Sequence, residues 1–170
     1  MKKAPGLIRE IPDFPKQGIL FRDITPLLGD AEAFDEVITA LAAQVPADCG
    51  KIIAVEARGF ILGAALAMKT GKGFVPVRKP GKLPALTVKE EYQLEYGTDA
   101  LEMHRDGVLP GEKVVIVDDV LATGGTAAAA CRLVEACKGR VVKVMFLIEL
   151  TGLKGRGKLT GREVFSLLQM

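Results

Sequence analysis

Short apolar segments that alternate with helical segments constrain the fold of this chain more than any other feature of its sequence. The strand-like segments are 51–60, 73–81, 113–119 and 141–150, and the helical ones are 31–45, 61–71 and 126–139. The strands are apolar along nearly their whole length, so both of their faces are expected to be buried. The pattern therefore predicts an α/β fold with a mainly parallel sheet flanked by helices.

Charged and polar residues follow three of these strands directly. The first strand ends in EARGF, the second in RKPGK, and the third in DDVLATGGT. In open parallel sheets, ligands bind outside the carboxyl ends of the strands. We therefore expect these three strand ends to form one site on one rim of the sheet.

The third strand end has the composition of a site for a sugar phosphate. Its backbone N–H groups lie between a strand and a helix, where they converge on an anion, and its glycines allow a close approach. The preceding Asp118 and Asp119 would repel the phosphate but can accept hydrogen bonds from ribose hydroxyls. The alternative for an isolated pair of acids is an ordinary helix cap with solvated carboxylates. The predicted ribose 5-phosphate contacts are Asp118, Asp119, Ala122, Thr123, Gly124, Gly125 and Thr126.

The bulk composition excludes several classes of function. The chain of 170 residues suits one domain, 1–170, and its 23 Lys and Arg against 21 Asp and Glu provide no basic field for nucleic acid. No apolar stretch has the length of a membrane helix. The cysteines 49, 131 and 137 form no paired framework, which favours a reducing cytoplasm, and no metal site is expected from them with His104.

Several separate strings resemble one known family. VVIVDDVLATGGT (114–126) resembles the 5-phosphoribosyl-1-pyrophosphate (PRPP) motif of the type I phosphoribosyltransferases. The adenine-specific members of that family are similar in four further strings, in the same order: FRDITPLL (21–28), EARGF (56–60), VRKPGKLP (77–84) and YQLEYGTDALEMH (92–104). The chain is therefore identified as a member of this family from motifs that span nearly all of it.

The resemblance implies an enzyme of purine salvage that transfers the 5-phosphoribosyl group from PRPP to adenine, giving AMP and pyrophosphate. It further implies magnesium carried by PRPP, a homodimer, an N-terminal hood (1–30) and a flexible lid loop (80–105). Positive charge on the sugar and negative charge on the leaving pyrophosphate would both need stabilisation away from water.

The resemblance also assigns residues to the pyrophosphate. Arg58 is the expected donor, because its planar guanidinium binds phosphate oxygens in two places, and Lys79 and Lys82 are expected to assist. The alternatives are a surface salt bridge between Arg58 and Glu56 and ordinary solvated lysines.

Proton transfer and base recognition are assigned to two other parts of the chain. Glu95, in the lid, matches the proposed general acid/base of the family, and its alternative is an exposed glutamate. Adenine is expected to contact the hood at Leu20, Phe21 and Arg22 and an apolar wall at Val120. The segment after 150 also resembles the family's ending, but its glycines and lysines receive no chemical role.

Two other functions stay open at this point. A phosphoribosyltransferase for 6-oxopurines would use the same phosphate loop, although the FRDITP and LEYG strings argue against it. A regulatory protein that senses PRPP and binds nucleic acid would be expected to carry a basic face or an added segment, for which the net charge of +2 leaves little room.

Overall fold

A computed structural model of the protein describes residues 3–94 and 97–170, with the side chains of 93, 94 and 97 left aside. The chain divides into two compact units, Met1–Ala40 and Leu41–Met170. Whether the two act as the one domain expected from the length stays a prediction.

The first unit contains a small antiparallel ribbon and short helices. Its elements are a 3₁₀ turn (Ala4–Leu7), β1 (Arg9–Ile11), β2 (Phe21–Asp23), α1 (Thr25–Gly29) and most of α2 (Ala31–Ala42). An ion pair between Arg22 and Glu10 joins the two strands. The carboxylate of Asp30 accepts the Ala33 N–H at 2.9 Å, which caps the start of α2.

The second unit contains the main sheet. Its elements are β3 (Lys51–Val55), α3 (Arg58–Thr70), β4 (Gly73–Val77), β5 (Thr87–Leu94), β6 (Gly97–His104), β7 (Lys113–Leu121), α4 (Gly125–Ala136), β8 (Arg140–Glu149), two 3₁₀ turns (Thr151–Leu153 and Gly155–Leu159) and β9 (Val164–Gln169). Five strands form one sheet in the order β4-β3-β7-β8-β9, and every neighbouring pair is parallel. The predicted α/β fold with a parallel sheet is confirmed.

Helices α3 and α4 cover opposite faces of this sheet. A Cβ atom on Gly63 of α3 would lie 2.5 Å from the Cβ of Ala54, so the helix packs closely on that face of β3. Ile53 and Val55, which point to the other face, belong to a core cluster with Ala127–Cys131 of α4. The central strands β3, β7 and β8 are therefore largely buried from both sides, as their apolar sequences require.

Several boundaries near the rim of the sheet differ from those expected. Helix α3 begins at Arg58, so this residue opens a helix and does not end a strand. Strand β7 continues through Leu121, and α4 begins at Gly125. The sequence did not reveal β9, because this edge strand is only half-buried and is preceded by two 3₁₀ turns in place of an α-helix.

The segment expected as an irregular lid contains a regular hairpin. Strands β5 and β6 pair antiparallel from Thr87 opposite His104 to Leu94 opposite Gly97. Tyr92, Leu101 and Met103 are buried in the same core cluster as α4. The alternation of apolar and polar residues that would mark β5 as a strand is interrupted at Glu90. This residue lies on the same side of β5 as the buried Tyr92, where it forms an ion pair of 2.9 Å with Arg132 of α4.

Candidate active site

Polar residues from the ends of β3, β4 and β7 meet on one rim of the sheet, as the sequence predicts. The Nε of Arg58, at the start of α3, lies 2.7 Å from Oδ2 of Asp119 at the end of β7. The Nε of Arg78, just after β4, lies 2.8 Å from Oε2 of Glu56, just after β3. Two ion pairs therefore join the segment that follows β3 to the carboxyl ends of β7 and β4.

The two adjacent aspartates are held in a confined environment. The carboxylate of Asp118 accepts the backbone N–H of Asp119 at 2.9 Å, and Asp119 is 5% exposed. Burial, together with the neighbouring Asp119 charge, raises the pKa of Asp118 well above its ordinary value. Burial also raises the pKa of Asp119, although Arg58 opposes the shift. Both carboxylates are hydrogen-bond acceptors whose negative charge is made unfavourable by burial, and they are not the solvated acids of a helix cap.

Gly59 permits the approach of α3 to the aspartates. A Cβ atom at this position would lie 2.8 Å from Oδ1 of Asp118 and 3.3 Å from the carbonyl oxygen of Val117. The absence of a side chain at Gly59 therefore lets the first turn of α3 lie against the end of β7.

The loop after β7 forms a cradle at the start of α4. Gly124 has a φ of +78°, a conformation that favours glycine, and α4 begins at the next residue. The first N–H groups of a helix have no partner within it and, with the helix dipole, attract an anion. A small cavity of about 70 Å³, suited to one phosphate group, is lined by Asp118, Val120, Leu121, Ala122, Thr123, Gly124, Gly125, Thr126, Ala127 and Phe146.

Glu56 organises two of the cations beside this cradle. Its Oε1 accepts a hydrogen bond from Lys82 at 2.7 Å, and its Oε2 accepts one from Arg78 at 2.8 Å. Burial alone would raise the pKa of Glu56, but the bonds from Lys82 and Arg78 lower it. The structure thus pairs Glu56 with these two cations and pairs Arg58 with Asp119, which differs from the Arg58–Glu56 salt bridge considered from the sequence.

Lys79 points to the hairpin. It forms an ion pair with Asp99 of β6, and its Nζ lies 3.3 Å from the hydroxyl of Tyr92. Burial would lower the pKa of Lys79, but the hydrogen bonds to Asp99 and Tyr92 raise it overall. Lys79 therefore stays charged, and its contact with pyrophosphate stays a prediction, as does that of Lys82.

The residues predicted for base recognition and proton transfer are less closely defined. Val120 lines the same cavity as Asp118. Phe21 packs edge-on against Phe14 with ring centroids 5.1 Å apart, and Leu20 is 43% exposed, both within the first unit. With Arg22, they remain predicted adenine contacts. Glu95 lies outside the described residues, so its role also remains a prediction.

Two contributors to the site were missed in the sequence. Phe146 of β8 lines the cavity at the start of α4. Gly155 lies against Ala122 and Gly124, in the loop that borders this cavity. Phe146 sits in an apolar strand that gives no hint of a site, and Gly155 is one of 19 glycines in the chain. Only the pairing of β7 with β8 and the path of the chain after β8 bring them there.

Two kinds of feature are absent from the described part of the chain. Residues 3–94 and 97–170 contain no group of three or more His, Cys, Asp or Glu arranged to hold a metal ion. Within the same residues, no helix is long and apolar enough to cross a membrane.

Known proteins match this chain over nearly its whole length. A model of the phosphoribosyl transferase domain matches residues 28–165. The adenine phosphoribosyltransferase of Thermotoga maritima is 59% identical over 162 residues, which cover 95% of this chain and 94% of that protein. The crystal structure of adenine phosphoribosyltransferase from Thermoanaerobacter pseudethanolicus superposes with a TM-score of 0.95 at 56% identity, covering 99% of both chains. The Saccharomyces cerevisiae enzyme, complexed with an imino-altritol bisphosphate and adenine, has a TM-score of 0.92 at 39% identity and covers 98% of this chain and 97% of its own.

Proposed function

The chain belongs to the phosphoribosyl transferase family, and on that basis we propose that it transfers the 5-phosphoribosyl group of PRPP to adenine, giving AMP and pyrophosphate. This is an enzyme activity of purine salvage. The observation that carries it is the likeness to adenine phosphoribosyltransferases over 95% or more of the chain. No feature of the described residues favours a 6-oxopurine enzyme or a PRPP sensor.

The phosphate cradle and the aspartates divide the work of binding the sugar phosphate. Residues 122–126 hold the 5-phosphate through the N–H groups at the start of α4, and two threonine hydroxyls add donors. Asp118 and Asp119 accept hydrogen bonds from the ribose hydroxyls, which compensates charges that burial makes costly. Contacts with the ribose thereby offset the unfavourable burial of the two charges.

Stabilisation of the leaving group is the part of Arg58, assisted by Lys79 and Lys82. Arg58 lies 2.7 Å from Asp119, so it stands next to the carboxylates that hold the sugar. The magnesium ion arrives as part of the PRPP substrate and neutralises charge on its pyrophosphate. The cations of the rim then stabilise the additional negative charge that develops as pyrophosphate departs.

Segment 80–105 is the lid, and Glu95 within it is the proton-transfer residue for the purine. Strand β5 of this segment packs on α4 through the Glu90–Arg132 ion pair, so the lid is attached directly to the helix that opens at the phosphate cradle. Closure would exclude water from the reacting sugar. The proposed adenine contacts are Val120 of the second unit and the hood residues Leu20, Phe21 and Arg22 of the first.

The active form is a homodimer in a reducing cytoplasm. An apolar stripe on α3 supports the dimer: Ile61 is 43% exposed, Ala64 is exposed, and Met68, one further turn along, is 84% exposed. Residues at these spacings lie on one side of a helix, where a second copy could cover them. The three free cysteines fit a reducing compartment. Light scattering coupled to gel filtration, on the wild type and on Met68→Glu, tests the dimer.

The test of the activity is formation of AMP and pyrophosphate from PRPP and magnesium with adenine, hypoxanthine and guanine in parallel. Turnover with adenine alone is expected. Turnover with hypoxanthine or guanine would show that the acceptor is an oxopurine and would contradict the assignment of adenine. Binding of PRPP without turnover on any base would instead indicate a sensor.

A further inference from the structure

The turn between β8 and β9 lies against the phosphate loop, although no role is predicted for this turn from the sequence. A Cβ atom on Gly155 would lie 2.2 Å from the carbonyl oxygen of Ala122 and 2.9 Å from Cδ1 of Leu121. Real Cβ atoms do not approach a backbone oxygen so closely, so either the loop or the turn would have to move. Any side chain at residue 155 is therefore incompatible with the present course of the loop.

The contact is reciprocal. A Cβ atom on Gly124 would lie 2.3 Å from the carbonyl oxygen of Gly155, and Gly124 already has a φ of +78°. Backbone thus packs directly on backbone at both glycines. The peptide groups that precede the first turn of α4 are supported from behind by residue 155.

The turn is itself firmly anchored. Arg156 donates two hydrogen bonds of 2.7 Å to the carboxylate of Glu149, at the end of β8, and a third of 2.9 Å to the carbonyl oxygen of Val164 in β9. Leu159 is 1% exposed within the core cluster that includes α4. The position of Gly155 is therefore fixed by β8, by the edge strand β9 and by the core.

We propose that Gly155, anchored by Arg156 and Leu159, acts as a buttress that holds the phosphate loop in its binding conformation, with Gly155 and Arg156 as positioning residues for the 5-phosphate. Binding of a phosphate by several N–H groups requires those groups to converge, and a shift of a few tenths of an ångström at Ala122 spoils the convergence. The proposal rests on the function proposed above and adds to it a second, sequence-distant determinant of affinity for PRPP.

Gly155→Ala and Gly157→Ala form a matched pair of variants. Gly157 lies in the same turn, is exposed, and has no described atom within 4 Å of its ideal Cβ position. We expect Gly155→Ala to raise the KM for PRPP about tenfold or more, since weakened hydrogen bonds to a charged group have effects of that order. The KM for adenine should change less than about twofold, and Gly157→Ala should resemble the wild type in both constants.

Arg156→Gln tests the same idea without a steric clash. Loss of the paired bonds to Glu149 should loosen the turn and raise the KM for PRPP selectively, while Arg156→Lys, which keeps the charge, should restore part of the affinity. This second pair decides the question if Gly155→Ala fails to fold.

Calorimetric binding of ribose 5-phosphate separates this inference from the proposed function, because it needs no turnover. Weaker binding to Gly155→Ala and Arg156→Gln than to Gly157→Ala and the wild type would support the buttress, even if adenine is not the acceptor. Equal affinities, or a parallel rise in the KM of adenine, would overturn it. A wild type that binds ribose 5-phosphate but forms no nucleotide from PRPP with any of the bases would contradict the proposed function alone.

Discussion

Replacement of Glu56 by glutamine tests the ion pairs at the rim of the sheet. The Glu56 carboxylate is 8% exposed and is bonded to Arg78 at 2.8 Å and to Lys82 at 2.7 Å. Glutamine has nearly the same shape but no charge, so the substitution removes the charge assistance and leaves the packing.

The structure sets the size of the effect. A hydrogen bond to a charged group contributes about 1.5–3 kcal/mol when it is buried. The partner side chains are 34% and 51% exposed, and glutamine keeps one acceptor oxygen, so the loss for both bonds together is about 2 kcal/mol. For a chain of this length, that loss corresponds to a thermal unfolding midpoint about 4–8 °C lower at neutral pH.

The pH dependence gives a second check on Glu56→Gln. The pKa of Glu56 is lowered in the folded protein, so its stabilisation is present above the ordinary value of 4.5 and is lost as the pH falls through the folded pKa. The difference in melting temperature between wild type and variant should therefore be largest near pH 7 and should approach zero at acid pH.

Scanning calorimetry at several pH values measures both effects, with Glu91→Gln as the control. Glu91 also pairs with a lysine, Lys89, at 2.9 Å, but its side chain is 67% exposed and the variant should melt like the wild type. An equal loss in the two variants, or a loss from Glu56→Gln that persists at acid pH, would refute the reasoning.

Three further predictions concern the aspartates, the approach of α3 and the lid. Burial and the adjacent Asp119 raise the pKa of Asp118, so the ionised carboxylate costs stability as the pH rises above its ordinary value of 3.8. Asp118→Asn should thus melt higher than the wild type at pH 8, with a gap that narrows toward pH 4 in differential scanning fluorimetry, and should bind PRPP more weakly. Gly59→Ala would bring a Cβ within 2.8 Å of Asp118 and should raise the KM for PRPP several-fold, whereas Gly152→Ala, with no described atom within 4 Å, should not; steady-state kinetics decides. Glu95→Ala should lower kcat about 10²–10⁴-fold with little change in the KM for PRPP, as expected for lost proton transfer, and an unchanged kcat would remove Glu95 from the mechanism.

Much of the fold follows from local chemistry that the sequence displays. A strand such as β7 is apolar at successive positions because both of its faces are covered, and this signal survives without knowledge of its neighbours. The hairpin β5–β6 does not give such a signal, since Glu90 on its packed side is neutralised by Arg132, a residue of another element. The edge strand β9 was also missed, because it is only half-buried and only two 3₁₀ turns separate it from β8.

The sequence by itself determined the sheet class and led to the predicted phosphate loop and its acidic pair, because these depend on residues adjacent in the chain. Only the tertiary structure decided which charges meet: Arg58 with Asp119, Glu56 with Arg78 and Lys82, and Lys79 with Asp99. It also placed Gly155 behind the phosphate loop, 31 positions after Gly124. Ion pairs and backbone contacts of this kind depend on distances in space, which a linear pattern does not contain until the strands are placed side by side.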